Sequence, residues 1–195
     1  MAQAQGVPAA SAAPKEANPA PLGLAGFALT TLILSLINAG LITGSSLAIV
    51  VGLALAYGGL GQLIAGYWEF KNGNTFGAVA FSSYGAFWWS FAAFVFMFQG
   101  KDAGNAVAWY LLAWGVFTFY MWIATLRMDR VLMVVFLLLW ITFVVLALGA
   151  FGNAGAGTGL TQIGGYAGIL TAIAAFYASA RIVINGAWGS TVLPG

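Results

Sequence analysis

The chain has 195 residues, of which 62% are hydrophobic and 5% charged, and its mean hydropathy is +0.97. A soluble domain does not tolerate that balance, so the chain reads as an all-α, polytopic membrane protein embedded in a lipid bilayer. The net charge of +2 is carried by scattered residues and excludes a nucleic-acid surface, while the lack of any cysteine or histidine removes the usual ligands and nucleophiles of zinc, haem and triad chemistry. No metal, cofactor or enzymatic activity is expected.

Residues 1–17, "MAQAQGVPAASAAPKEA", are rich in Ala, Pro, Gln and Ser and read as a disordered tail. They do not read as a cleaved signal, because no basic residue precedes the weakly apolar stretch. Residues 18–195 form the membrane domain, and "ANPAPLGLAGF" (17–27) spans its start. Asn18 is a favoured helix cap, and Pro19 at the first helical position lacks only an N–H that would have been unpaired anyway. The expectation is a rigid helix start whose free N–H groups and positive dipole end suit a small anion.

Six hydrophobic segments come next, at roughly 24–42, 46–68, 76–98, 106–126, 131–151 and 164–184. Each is long enough to cross a bilayer as a helix. Between them lie a tight connection at 43–45, polar turns at 69–75, 99–105 and 127–130, and a glycine-rich loop at 152–163. An even number of spans puts Lys15, Lys71, Arg127, Arg130 and Arg181 on one side and Lys101 alone on the other. Positive charge accumulates in the cytoplasm, so both termini are expected there, in a plasma or inner membrane. In the second span Ala48, Gly52 and Ala56 recur every four residues, with Gly61 and Ala65 beyond them, which predicts close approach of another helix backbone.

Polar side chains inside a bilayer are costly unless they line a path or find a partner, so polar stripes are the main functional signal. The first span places Phe27, Thr31, Leu34 and Asn38 on one stripe, and the second places Gly58, Gln62 and Glu69 near one line. The third contributes Phe81, Tyr84 and Trp88, the fourth Tyr110, Trp114 and Thr118, the fifth Leu139 and Thr142. Together they read as a narrow, aromatic, weakly polar path. Each has an ordinary reading as well: threonines return their hydroxyl to the preceding turn, and Trp or Tyr near a span end anchors at the interface. Glu69 reads first as a helix-end residue, solvated or partnered by Lys71, ahead of any role in proton transfer.

"NPAPLGL" (18–24), "YGGLGQLIAGYWEFKNGNTFG" (57–77), "FSSYGAFWWS" (81–90), "WGVFTFYMW" (114–122) and "TVLPG" (191–195) resemble, in order, the acetate uptake transporter family. That family comprises the succinate–acetate permeases and their fungal acetate and ammonium relatives. The resemblance implies a six-helix transport protomer assembled as a homo-hexameric ring, one path per protomer, with proton-linked uptake of acetate and with succinate as a second candidate substrate. It assigns Phe27, Tyr84 and Leu139 to a hydrophobic constriction and Asn18, Pro19, Ala20, Pro21, Leu22, Gly23 and Leu24 to a substrate-access motif. Gln62, Glu69 and Trp88 fall in matching segments without assigned roles. Some relatives carry a histidine where this chain has Ile37, so proton coupling here is expected to come from the acid crossing in protonated form. The alternative reading is a passive channel for a small neutral solute such as acetic acid, ammonia or urea.

Overall fold

A computed structural model describes residues 16–98 and 103–195. Nearly all of the expected tail, including Lys15, and Lys101 lie outside the described residues. The helices are α1 (Ala20–Asn38), α2 (Leu47–Leu55), α3 (Gln62–Lys71), α4 (Thr75–Phe98), α5 (Ala106–Thr125), α6 (Arg130–Phe151) and α7 (Gly159–Trp188). A 3₁₀ turn at Gly44–Ser46, α2, a π turn at Ala56–Gly61 and α3 run on as one span of 28 residues, so among the described residues six helical rods are long and apolar enough to cross a membrane.

The helix ends depart from the hydropathy limits where local chemistry intervenes. α1 stops at Asn38, because Gly40 takes φ +74° and the Leu41 N–H reaches back to the Leu36 carbonyl at 2.9 Å. This is a Schellman stop, which glycine supports without a Cβ penalty. α7 starts five residues before the expected limit, held by bonds from distant parts of the chain: Gly157 N–H to the Asn38 carbonyl at 2.9 Å, and Gln162 Nε2 to that of Ala39 at 3.3 Å. α6 is capped by Asp129, whose Oδ1 accepts from the Leu132 N–H at 3.0 Å.

α1 packs along α7, α7 along α6, α6 along α5, and α3 along α4, while the π turn lies against α1 and α4. The closest crossings need glycine. A Cβ at Gly26 would run into the Tyr57 carbonyl, and one at Gly165 into the Ala39 backbone. Without a hydrophobic driving force between helices in lipid, such backbone approach supplies much of the packing energy.

The π turn divides the small residues of the second span between two faces. Ala48, Gly52 and Ala56 lie on the outside of the bundle, and a Cβ at Gly52 would meet nothing within 4 Å. Gly58, Gly61, Gln62, Ala65 and Glu69 are buried instead. One extra residue in a helical turn rotates the downstream residues by about 100°. The first half of the rod therefore turns its small residues outward and the second half turns its polar residues inward. The Trp89 Nε1–H donates to the Leu55 carbonyl at 3.0 Å, at the residue that precedes the π turn.

Candidate functional site

Two cavities lie end to end along the bundle. The proximal one, about 150 Å³, opens where α1 begins, α3 ends and α7 finishes, and is lined among others by Ala20, Leu24, Gln62, Glu69 and Arg181. The distal one, about 490 Å³, opens at the opposite end and is lined by residues including Thr31, Asn38, Trp88, Tyr110 and Thr142. The two share three residues, Phe27, Tyr84 and Leu139. These come from α1, α4 and α6, and all three are buried.

Phe27 and Tyr84 face each other with ring centroids 5.8 Å apart. Behind Tyr84 stand the rings of Trp114, Phe117 and Phe136, within 6.1 Å centroid to centroid. The Tyr84 hydroxyl lies 2.9 Å from Thr118 Oγ1, and Thr118 gives its single proton to the Trp114 carbonyl at 2.8 Å. A hydroxyl has one proton to give, so the phenol must be the donor to Thr118. Trp114 and Thr118 thus line neither of these two cavities. They stand behind the Tyr84 ring, a departure from the sequence reading: α5 lines the distal cavity with its first turns, through Tyr110 and Leu111, and passes behind Tyr84 further along.

The remaining candidates divide between the cavities. Thr31, Asn38 and Trp88 line the distal one, and Thr31 Oγ1 and Trp88 Nε1 are buried with no hydrogen-bond partner among the described residues. Gln62, 1% exposed, lines the proximal one with its Oε1 unpartnered. Glu69 is also there and only 3% exposed. Its Oε2 accepts from Asn74 Nδ2 at 2.8 Å, while Oε1 has no partner. Lys71 is not its counterion: that ammonium sits over the Tyr67 ring, 5.6 Å from the centroid. The helix-end reading of Glu69 is corrected accordingly, because the rotation at the π turn drives this face of α3 inward.

The access motif is also built differently from expectation. Pro19 is the cap, Ala20 the first helical residue and Pro21 the second. Asn18 Oδ1 accepts the Ala20 N–H at 2.9 Å, and the Leu22 and Gly23 N–H groups both point to the Pro19 carbonyl, at 3.1 and 3.3 Å. With two prolines that carry no N–H, the first turn has no free donor left for an anion, and only its dipole remains. The motif's contribution to the cavity is apolar, through Ala20 and Leu24. The Pro21 carbonyl accepts from Ser179 Oγ at 2.8 Å, which ties the motif to α7.

Sequence reasoning missed the ion pair at the proximal mouth, where Arg181 Nη2 meets Asp129 Oδ2. Burial raises the Asp129 pKa, but the hydrogen bonds from Arg181 and the Leu132 N–H lower it further, and the net position is below its ordinary 3.8. In the sequence Arg181 is legible only as a charge that counts toward orientation, and Asp129 only as part of a polar turn.

The sequence model of the GPR1/FUN34/yaaH family matches residues 3–193. The chain is 41% identical to the succinate-acetate/proton symporter SatP of Escherichia coli K12 over 184 residues, covering 92% of this chain and 95% of that one. It is 43% identical to the ammonia transport outward protein 2 of Saccharomyces cerevisiae over 172 residues, 84% of this chain but 60% of the longer yeast protein. The solved structure of the bacterial acetate channel SatP is similar with a TM-score of 0.85 at 42% identity, covering 92% of this chain and 99% of that one.

Proposed function

The chain belongs to the GPR1/FUN34/yaaH family, and from that premise we propose that it moves acetate, and succinate or other short carboxylates, across a plasma membrane, through one proton-linked path per protomer. One observation carries the reading: two cavities entered from opposite ends of the bundle and separated by Phe27, Tyr84 and Leu139. That gate holds no charge, and the one hydroxyl in it is already bonded to Thr118. An ionised acetate meeting it would lose hydration without a donor in exchange, at a cost of several kcal/mol. The neutral acid sheds far less and passes. Uptake is then proton-linked because each acid carries its own proton.

In this reading residues 18–195 are the transport domain, and both termini are cytoplasmic. Lys71, Arg127, Arg130 and Arg181 on the proximal side favour that orientation. The proximal cavity is then the cytoplasmic one, and the access motif borders it. The protomers assemble as a hexamer, for which the outward stripe of Ala48, Gly52 and Ala56 offers a surface where a neighbour's backbone approaches closely.

A second reading, a passive channel for a neutral solute such as acetic acid, ammonia or urea, draws on the same uncharged gate and on the yeast relative named for ammonia transport. Uptake of labelled acetate into proteoliposomes separates the two. Movement of the neutral acid ends at the level the pH gradient sets with or without the protein, so the initial rate is read: the permease reading expects saturable uptake, faster than in protein-free liposomes, that other short carboxylates compete. A rate that rises in proportion to acetate and is shared by ammonia or urea supports the channel, and no difference from the protein-free control refutes acetate transport altogether.

A further inference from the structure

We infer that Glu69 takes the proton from the acid in the proximal cavity, so that the substrate leaves that cavity as a carboxylate. The inference rests on the proposed function, in which a short carboxylic acid crosses the gate in neutral form. It goes beyond that function by naming where the proton parts from its carrier.

Glu69 is nine-tenths buried and more, on a wall of the cavity into which the gate opens. An ionisable residue inside a membrane domain is expensive to keep and faces an internal path or a partner when it is kept. Here the partner is a neutral amide, Asn74, on one oxygen only. The other oxygen, Oε1, has none among the described residues. The space it occupies exists because residue 77 is glycine: a Cβ there would lie 2.9 Å from Oε1.

The charged and titratable groups around it leave its charge unassigned. On α3, Lys71 is turned over Tyr67. On α7, Arg181 is committed to Asp129, the N-cap of α6. α1 holds no titratable residue, α4 holds only Tyr84 among the cavity's walls, and that hydroxyl donates to Thr118. A carboxyl with no cation to fix it as an anion and no acceptor to fix it as an acid is free to exchange a proton in its task.

The step balances without a further reactant. The O–H bond of the acid breaks, its proton passes to Glu69 Oε1 directly or through one water, and the acid becomes a carboxylate. The carboxylate departs past the mouth. Glu69 then returns the proton to the water outside and is ready for the next acid; the reverse sequence loads an outgoing carboxylate.

Equilibrium exchange of labelled acetate tests this in proteoliposomes of the full chain. The pH is equal on both sides, total acetate is adjusted to hold acetic acid constant, and protein-free liposomes provide the background. Wild-type exchange is expected to fall by about tenfold per pH unit once Glu69 retains its proton. Glu69→Gln loses that step and gives a slow, flat profile, while Glu69→Asp keeps a step at a displaced pH. If the Gln variant does not insert, the wild type still answers. A membrane-permeant carbodiimide, which couples to protonated buried carboxyls, should label Glu69 more as pH falls, and saturating acetate should suppress the labelling. Wild-type transport with an unchanged profile in Glu69→Gln, or labelling indifferent to acetate, overturns the role of Glu69 alone. A wild type that exchanges no acetate above background overturns the proposed function and this step with it.

Discussion

Replacing Thr118 with valine tests whether the gate is held in place by a hydroxyl pair. The substitution keeps the side-chain shape and opens no cavity, but leaves the Tyr84 hydroxyl, in a residue 3% exposed, without its acceptor 2.9 Å away. Stranding a buried donor costs about 1–3 kcal/mol. Tyr84→Phe removes the donor while Thr118 keeps its bond to the Trp114 carbonyl, so its cost is smaller, about 0.5–1.5 kcal/mol. In the double variant no polar group is stranded, because the Trp114 carbonyl remains within the helix ladder. The double variant should therefore be more stable than Thr118→Val alone, a non-additivity that independent sites do not produce. The assay is apparent melting temperature in detergent, where 1 kcal/mol corresponds to roughly 2–4 °C for a chain of this size, paired with uptake of acetate against a longer acid. A ring released from Thr118 should pass the longer acid relatively better, and Thr118→Ser should restore both readings. Costs that simply add, with selectivity unchanged, would refute a gate locked by this bond.

Leu139→Ala removes the aliphatic part of the gate and joins the two cavities; competition for acetate uptake should extend to larger, branched acids. Its stability cost should fall at or below the low end of the usual range of about 2–5 kcal/mol, since the side chain already borders open space on two sides, and an unchanged range of competitors would count against the gate. Gly26→Ala should sharply reduce the yield of folded protein, because the atom it must displace is the backbone carbonyl of Tyr57, whereas Gly52→Ala has open space and should fold normally. Gly52→Leu should also fold but run as a smaller assembly by light scattering if that face joins protomers; an assembly of unaltered size would place the interface elsewhere. The carboxyl of Asp129 titrates below its ordinary 3.8 in the folded chain, burial being outweighed by Arg181 and the Leu132 N–H. Its contribution is therefore present above that ordinary value and lost as pH falls through the depressed one. Asp129→Asn keeps a helix cap but loses the ion pair, so its melting temperature should lie below wild type from neutral pH to about pH 4 and converge with it in stronger acid.

Where the spans lie was legible because hydropathy is a sum over neighbours. Every run of apolar residues read in the sequence lies on a helix of the structure, and the errors are at the ends, where Gly40 stops α1 and bonds from Asn38 and Ala39 start α7 early. The stripe Phe27, Thr31, Asn38 was legible for the same reason: within one regular helix, spacing determines which residues share a face, and all three line a cavity. That Phe27, Tyr84 and Leu139 belong together was suggested by resemblance, since nothing in the spacing of three separate helices joins them.

Composition and periodicity by themselves determined a six-span, all-α membrane protein with a weakly polar interior and no histidine or cysteine chemistry. Tertiary structure alone decided what depends on rotation and on partners distant in sequence. The π turn at Ala56–Gly61 set which face of α3 turned inward and so isolated Glu69 from Lys71. The meeting of α4 and α5 at the Tyr84 hydroxyl made Thr118 a support for Tyr84 instead of a wall of either cavity. Insertion into a bilayer is driven by each segment's own transfer energy, which a sequence contains; the rotation and pairing of the inserted helices come from close packing and hydrogen bonds between them, which exist only once they meet.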